Sequence, residues 1–283
     1  MDYGNSQKGI RPLSDAQPAI LMYHSVTPYQ IDPSNTTVHP ERFEQHMKWL
    51  HERGRRGVSV GELLKAWRNG TADRLVGLSF DDGYADFAYN ALPILQRYGF
   101  NATAFVLAGR LGHDNSWTAK DPQKALLTSE EVSHLAASGI EIGSHGLLHL
   151  SFPSLSRTAL MEETADSRRI LQEVSGQDVL GFCYPYGRLD ERAVSAVQAA
   201  GYDYACAVWG TQFAGRYALR RYAMIDRYSR AHLWYMGWRY WLRWVYQGPG
   251  SGTLAAAQSW RERRMLVRMS GQTSIHSADN DLQ

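Results

Sequence analysis

Three observations predict an α/β fold built on a parallel sheet. Short apolar runs alternate with segments of helical period, the mark of strands alternating with helices. The connections between them are short and closed by glycine. Repeated strand-then-helix units of this kind suit parallel pairing, in a sheet either open or closed into a barrel. The residue types able to carry chemistry fall where strands end, and in parallel barrels that rim is where reactive groups are assembled.

Taken in order, residues 19–23 (AILMY) read as a first strand. Residues 40–54 carry Phe43, Met47 and Leu50 at spacings of four and three, a helix ended by Gly54. A second strand is expected over 75–80, a helix over 89–98 closed by Gly99, and a third strand over 101–107 (NATAFVL). Thr128 opens the next helix with Glu131 three residues on, the spacing of a capping box. That helix stops at Gly139, before a short strand over 140–142. A longer helix follows over 158–174, then a strand over 179–183, a helix over 191–200 ended by Gly201, and a strand over 204–208.

A chain of 283 residues is long enough for one large α/β domain with a buried core, plus an extension. Thirty Lys and Arg against 28 Asp and Glu leave a net charge of +2, which argues against a general nucleic-acid binder. The balance is uneven. From Arg216 onward eleven arginines face four acidic residues, a surplus of seven, which leaves −5 on residues 1–215. The first twenty residues lack the apolar core of a secretory signal, and nowhere do about 18 uncharged apolar residues run together as a spanning helix requires. A cytoplasmic protein is therefore expected. Cys183 and Cys206 sit inside apolar runs, where free thiols pack as small hydrophobes.

Chemistry concentrates in a few places. Asp81 and Asp82 follow a strand and precede Gly83, in the run SFDDG. Two adjacent carboxylates repel unless they point apart or a cation lies between them, and binding one to a metal leaves its neighbour free as a base. Taken alone, the pair reads more readily as a solvated turn. His145 and His149 stand four residues apart, a spacing that on a helical turn puts both imidazoles on one side. Residues 141–145 read as a strand end running into a turn, which brings these histidines to the same rim as Asp82. Two nitrogens and one oxygen suit Zn2+, with Co2+, Ni2+ and Fe2+ as alternatives. At another strand end, residues 182–187 (FCYPYG) form either a plain strand and turn or a rigid rim. In the second case the Tyr186 N–H would face an oxyanion, and the rings of Tyr184 and Tyr186, either side of Pro185, would stack on a sugar. His24 closes the first strand and is a candidate acid.

Together SFDDG, SHGLLHL and FCYPYG resemble, in order and spacing, the NodB-homology polysaccharide deacetylases, carbohydrate esterase family 4. The resemblance spans roughly residues 18–228. It implies a distorted parallel (β/α) barrel, a divalent metal on an Asp-His-His triad, and removal of N-acetyl groups from an amino-sugar glycan. By position, Asp81 matches the general base and Asp82, His145 and His149 the metal ligands. The opening LMYHSV is similar to the branch of bacterial poly-N-acetylglucosamine deacetylases, which makes His24 the general acid. Leu219-Arg-Arg-Tyr222 resembles a late motif of that branch, with Arg221 placed to pair with Asp81. The chain departs from the pattern in two places. Gly146 stands where a Ser or Thr is usual, so a loop hydrogen bond is lost, and Tyr184 fills the place of an arginine that commonly holds the base.

These readings divide the chain into a lead-in (1–17), a catalytic domain (18–230), an aromatic and basic helical extension (231–270) and a disordered tail (271–283). Five of the nine tryptophans fall within the extension, with Arg239, Arg243 and a further arginine cluster. Such a helix either packs on the barrel or lies against a membrane surface through residues 231–269. The second case describes a peripheral protein on the inner face of the cell membrane, acting on a lipid-linked or nascent exopolysaccharide. The rival expectations are a deacetylase of peptidoglycan or chitooligosaccharide, and a catalytically silent glycan-binding module on the same fold.

Overall fold

A computed structural model describes residues 17–232 apart from 209, 210, 212 and 230. The chain divides into two compact units, Met1–Trp234 and Tyr235–Gln283, and the described residues belong to the first. The expected extension and tail, save residues 231 and 232, lie outside the described residues, as does nearly all of the lead-in.

The first strand β1 (Ile20–Tyr23) is buried throughout and leads into the short pair β2 (Ser25–Val26) and β3 (Thr37–Val38). Helix α1 (Pro40–Glu52) starts on proline, whose missing N–H is no loss in a first turn. Next come β4 (Arg56–Val58) and α2 (Val60–Arg68), the latter capped by the Ser59 hydroxyl. Neither is assigned above: three strand residues are too few to show a period, whereas α2 does carry one, with Val60, Leu63 and Leu64 buried on one side. Strand β5 (Leu75–Phe80) follows, then a π-helical turn (Phe87–Ala91) running into α3 (Leu92–Arg97), where the pattern predicts one plain helix.

Strand β6 (Thr103–Val106) and helix α4 (Ser129–Ala137) flank a long loop, and the Thr128–Glu131 capping box is formed in both directions. After β7 (Glu141–Ser144) the expected long helix is α5 (Arg157–Met161) joined to α6 (Ser167–Ser175) through a second π turn. The chain continues through β8 (Gly181–Cys183), α7 (Glu191–Ala199), β9 (Tyr204–Cys206) and β10 (Tyr222–Ala223).

Every strand pair is parallel, in the order β10-β1-β5-β6-β7-β8-β9, with β4 also on β5. Leu219 bridges Cys206 of β9, and three residues later β10 pairs with β1. The segment 219–223 therefore joins the two edges and curls the sheet into a distorted barrel. One buried cluster includes Ile20, Val58, Leu63, Phe105, Tyr204 and Leu219. Gly181 makes room for it, since a β-carbon there would meet the Tyr204 ring at 2.4 Å. Strands covered on both faces need continuous apolar runs, and residues 20–23 and 75–80 have them.

Candidate active site

Strand β5 delivers the two carboxylates. The Asp81 N–H still donates to the Tyr23 carbonyl at 3.0 Å, so the ladder runs one residue past the strand. Asp82 then turns left-handed, at φ +71°. That turn resolves the repulsion expected of neighbouring carboxylates by giving each its own partner.

Asp81 is gripped by Arg221, whose two terminal nitrogens reach its two oxygens at 2.6 and 2.7 Å. Arg221 is 1% exposed, and its remaining donors go to Ser79 Oγ (3.1 Å), the Ala207 carbonyl (3.0 Å) and Cys183 Sγ (3.0 Å). Planar bidentate pairing of this kind fixes orientation as well as charge. Burial alone would push the Asp81 carboxyl up, but the Arg221 charge and hydrogen bonds outweigh it and hold the group below the usual carboxylate range.

Asp82 faces the histidines. Nε2 of His145 and Nε2 of His149 both lie 3.2 Å from its Oδ1. His145 Nδ1 lies 2.8 Å from the Cys183 carbonyl, which can only accept, so the proton of a neutral ring sits on Nδ1 and the bare Nε2 lone pair points at the carboxylate. Such an arrangement repels unless positive charge lies among the three groups. The pKa directions carry the same information. Burial opposes charge on both Asp82 and His145, yet the imidazoles hold Asp82 well below the usual carboxylate range, and Cys183 and Asp82 raise His145 well above the ordinary imidazole value. Burial lowers the His149 pKa below the ordinary imidazole value. The three ligand atoms lie within 4.8 Å of one another, so the residues fit a divalent cation.

The four-residue spacing works without the helical turn it suggests. Residues 145–149 form an irregular turn, with Gly146 at φ +86° and His149 at φ +62°. Among the described residues four non-glycine positions have positive φ, and three of them, Asp82, His149 and Tyr186, line one cleft. Each costs roughly 1–2 kcal/mol, a strain that clusters where function sets the geometry.

The cleft has a volume of about 400 Å³. His24 lines it together with Asp81, Asp82, His145 and His149, so the catalytic and metal-ligating residues named from sequence come together, with Arg221 buried behind Asp81. Tyr186 is 52% exposed at the mouth, its ring edge-on to His149 at 4.4 Å. The expectation for Tyr184 and Pro185 is corrected. Tyr184 borders the cleft, but its ring is buried against Phe152 and Phe182 with its hydroxyl donating to the Tyr217 carbonyl, and Pro185 is buried too, so neither has an exposed face on which a sugar could stack.

Sequence reasoning also misses partners. Trp117 also lies against the His149 ring, at 4.7 Å, and walls the cleft with Ser34, Thr36, Thr118 and Asp121. Asp121 ties the two loops carrying these residues, accepting from Ser34 N (3.1 Å), Ser34 Oγ (2.6 Å) and Thr118 Oγ1 (2.9 Å). No local pattern marks these residues, because the ties from Asp121 to Ser34 and from Trp117 to His149 run across the fold.

Fold and site together define a class: parallel barrels with a carboxylate–imidazole cluster able to hold a metal on the C-terminal rim of the sheet. Residues 68–205 match the family model described as polysaccharide deacetylase, and the chain carries a polysaccharide deacetylase domain of the NodB-homology, carbohydrate esterase family 4 type. It is 32% identical over 196 residues to YxkH of Bacillus subtilis, assigned by name to the polysaccharide deacetylases, covering 69% of this chain and 65% of that protein. It is 24% identical over 180 residues to the poly-β-1,6-N-acetyl-D-glucosamine N-deacetylase of Staphylococcus aureus, covering 60% of each. The chain thus spans a little under two thirds of these relatives. In fold it is similar to the Streptococcus pyogenes deacetylase PplD in complex with acetate, at a TM-score of 0.66 and 24% identity, covering 80% of this chain and 98% of that one.

Proposed function

We propose that this chain is a metal-dependent hydrolase that removes N-acetyl groups from an N-acetylglucosamine-type glycan. The observation that carries the reading is the division of labour between adjacent carboxylates at the cleft floor: Asp82 aimed at two imidazoles, Asp81 held ionised by Arg221.

A divalent metal on Asp82, His145 and His149, which we take to be Zn2+, supplies Lewis-acid polarisation of the acetamide carbonyl and a more acidic water. The protein's own groups do the rest. Asp81, charged and oriented by Arg221, accepts a proton from the attacking water. His24 protonates the departing amine, the step amide cleavage needs once the base is loaded. The backbone N–H of Tyr186 stabilises the developing oxyanion, and its exposed ring supports the sugar. Similarity to the S. aureus enzyme favours poly-N-acetylglucosamine as the substrate class.

The reading extends to location. The aromatic and arginine-rich stretch 231–269 suits contact with an anionic leaflet such as the inner face of the cell membrane, and with it a lipid-linked or nascent substrate. Among the described residues no helix is long and apolar enough to cross a membrane.

Acetate release from N-acetylglucosamine oligomers, measured beside metal content, tests the assignment. Asp81→Asn is expected to retain metal and lose turnover, whereas His149→Ala loses both. An Asp81→Asn enzyme as active as the parent removes the mechanism, and binding without acetate release makes the chain a silent glycan-binding module.

A further inference from the structure

Three carboxylates are buried among the described residues, and the proposed chemistry uses only Asp81 and Asp82. The third, Glu163, is 3% exposed and lies in the π turn Glu162–Asp166, an irregularity found often at functional sites. Its Oε2 accepts from the backbone N–H of Leu147 at 2.6 Å and of Leu148 at 3.3 Å. These are the two residues immediately before His149.

The rest of the turn is held from other directions. Gly146 N–H donates to Ser144 Oγ at 3.1 Å. The carbonyls of Gly146 and Leu147 accept from Ala108 N–H (3.0 Å) and Gly109 N–H (3.2 Å). Gly146 is required twice over: its φ is +86°, and a β-carbon there would sit 2.6 Å from Glu163 Oε2. The hydroxyl that the family pattern leads one to expect at 146 is absent, and a carboxylate from the neighbouring helical segment occupies the space beside the loop.

We propose that Glu163 is a positioning residue for the metal centre, which clamps the 145–149 turn so that His149 reaches the cation from its left-handed backbone. Its contribution is the placement of one acceptor oxygen. Hydrogen bonds from backbone N–H groups to a carboxylate are about twice as strong as neutral ones, and the buried oxygen is held against both donors. The proposal rests on the metal-site reading above, and its test separates the two.

In the full-length chain, Zn2+ affinity is measured by chelator competition and the site's geometry by Co2+ absorption. Thermal unfolding is followed with and without metal. Glu163→Gln keeps an oxygen in place of Oε2 without the charge and is expected to bind Zn2+ within about threefold of the parent. Glu163→Leu removes the acceptor, and metal affinity falls roughly 10- to 100-fold, as losses behind metal ligands typically do. Its Co2+ spectrum changes, and its unfolding temperature falls more with metal than without. Should Glu163→Leu fail to fold, Glu163→Asp withdraws the oxygen by one methylene while keeping the charge, with the same weakening expected. Exposed Glu162→Gln is the control and binds as the parent does. A Leu or Asp variant with parental affinity and spectrum overturns the proposal, and so does a Gln variant as weak as Leu. If the parent itself takes up no metal, the metal-site reading falls and this inference with it.

Discussion

Asp81 carries a charge that burial would deny it, and Arg221 is the reason. Removing the arginine leaves a buried carboxylate with its desolvation uncompensated, so Arg221→Met is expected to raise the Asp81 pKa and move the acid limb of kcat/KM to higher pH. Breaking such a buried pair also costs roughly 3–5 kcal/mol, readable in denaturant unfolding. The sign follows from linkage. A carboxyl held below its ordinary 3.8 in the native state contributes stability that is complete above that value and lost as pH falls through the lower native pKa. The variant therefore loses less stability on acidification than the parent. At this scale the reading from sequence is nearly complete for the acidic and imidazole ligands. Their chemistry is a property of residue type and spacing, and their strand ends are marked by apolar runs. It fails at Tyr184, whose ring is buried against Phe152 and Phe182 although the residue borders the cleft, because a strand-end position says nothing about how much of a ring its neighbours cover.

Elements are tied together by single polar contacts, and His46 of α1 is an instructive one. It is buried, with Nε2 donating to the Tyr228 carbonyl at 2.7 Å and Nδ1 accepting from the Tyr23 hydroxyl at 3.2 Å, so the neutral ring pins the segment after β10 onto α1. Burial lowers its pKa to about 4. The unfolded chain binds this proton near 6.5, so stability is lost as pH falls from about 6.5 to about 4, by up to about 3 kcal/mol. His46→Gln is expected to flatten that part of the curve of unfolding temperature against pH, and an unchanged slope removes the assignment. Helix caps and glycine stops are readable because their chemistry is local: Thr128 and Glu131 satisfy each other's backbone. Segments 56–58 and 222–223 are not, since strands of two or three residues take their identity from the neighbours that pair with them.

For the whole molecule, metal binding and folding are linked. A ligand that binds only the native state stabilises by about 2.7 kcal/mol at a hundred times its dissociation constant, so chelation should lower the unfolding temperature and Zn2+ restore it. His149→Ala should abolish that shift, and a shift that survives the substitution places the cation elsewhere. Deleting residues 231–283 and following partition between soluble and membrane fractions tests the proposed membrane contact, and an unchanged distribution discards it.

The parallel α/β architecture, the two carboxylates, the histidine pair and the candidate acid His24 were all present in the order and spacing of residues, because periodicity and side-chain chemistry are encoded within a few positions. The family resemblance already assigned Asp82 to the imidazoles and Asp81 to Arg221, and folding supplies the left-handed turn at Asp82 that sends each to its partner. Folding also set Trp117 against His149 and Glu163 behind the turn. Those relations join residues from 15 to 140 positions apart, and no local rule acts over such distances. They exist only once the barrel has closed.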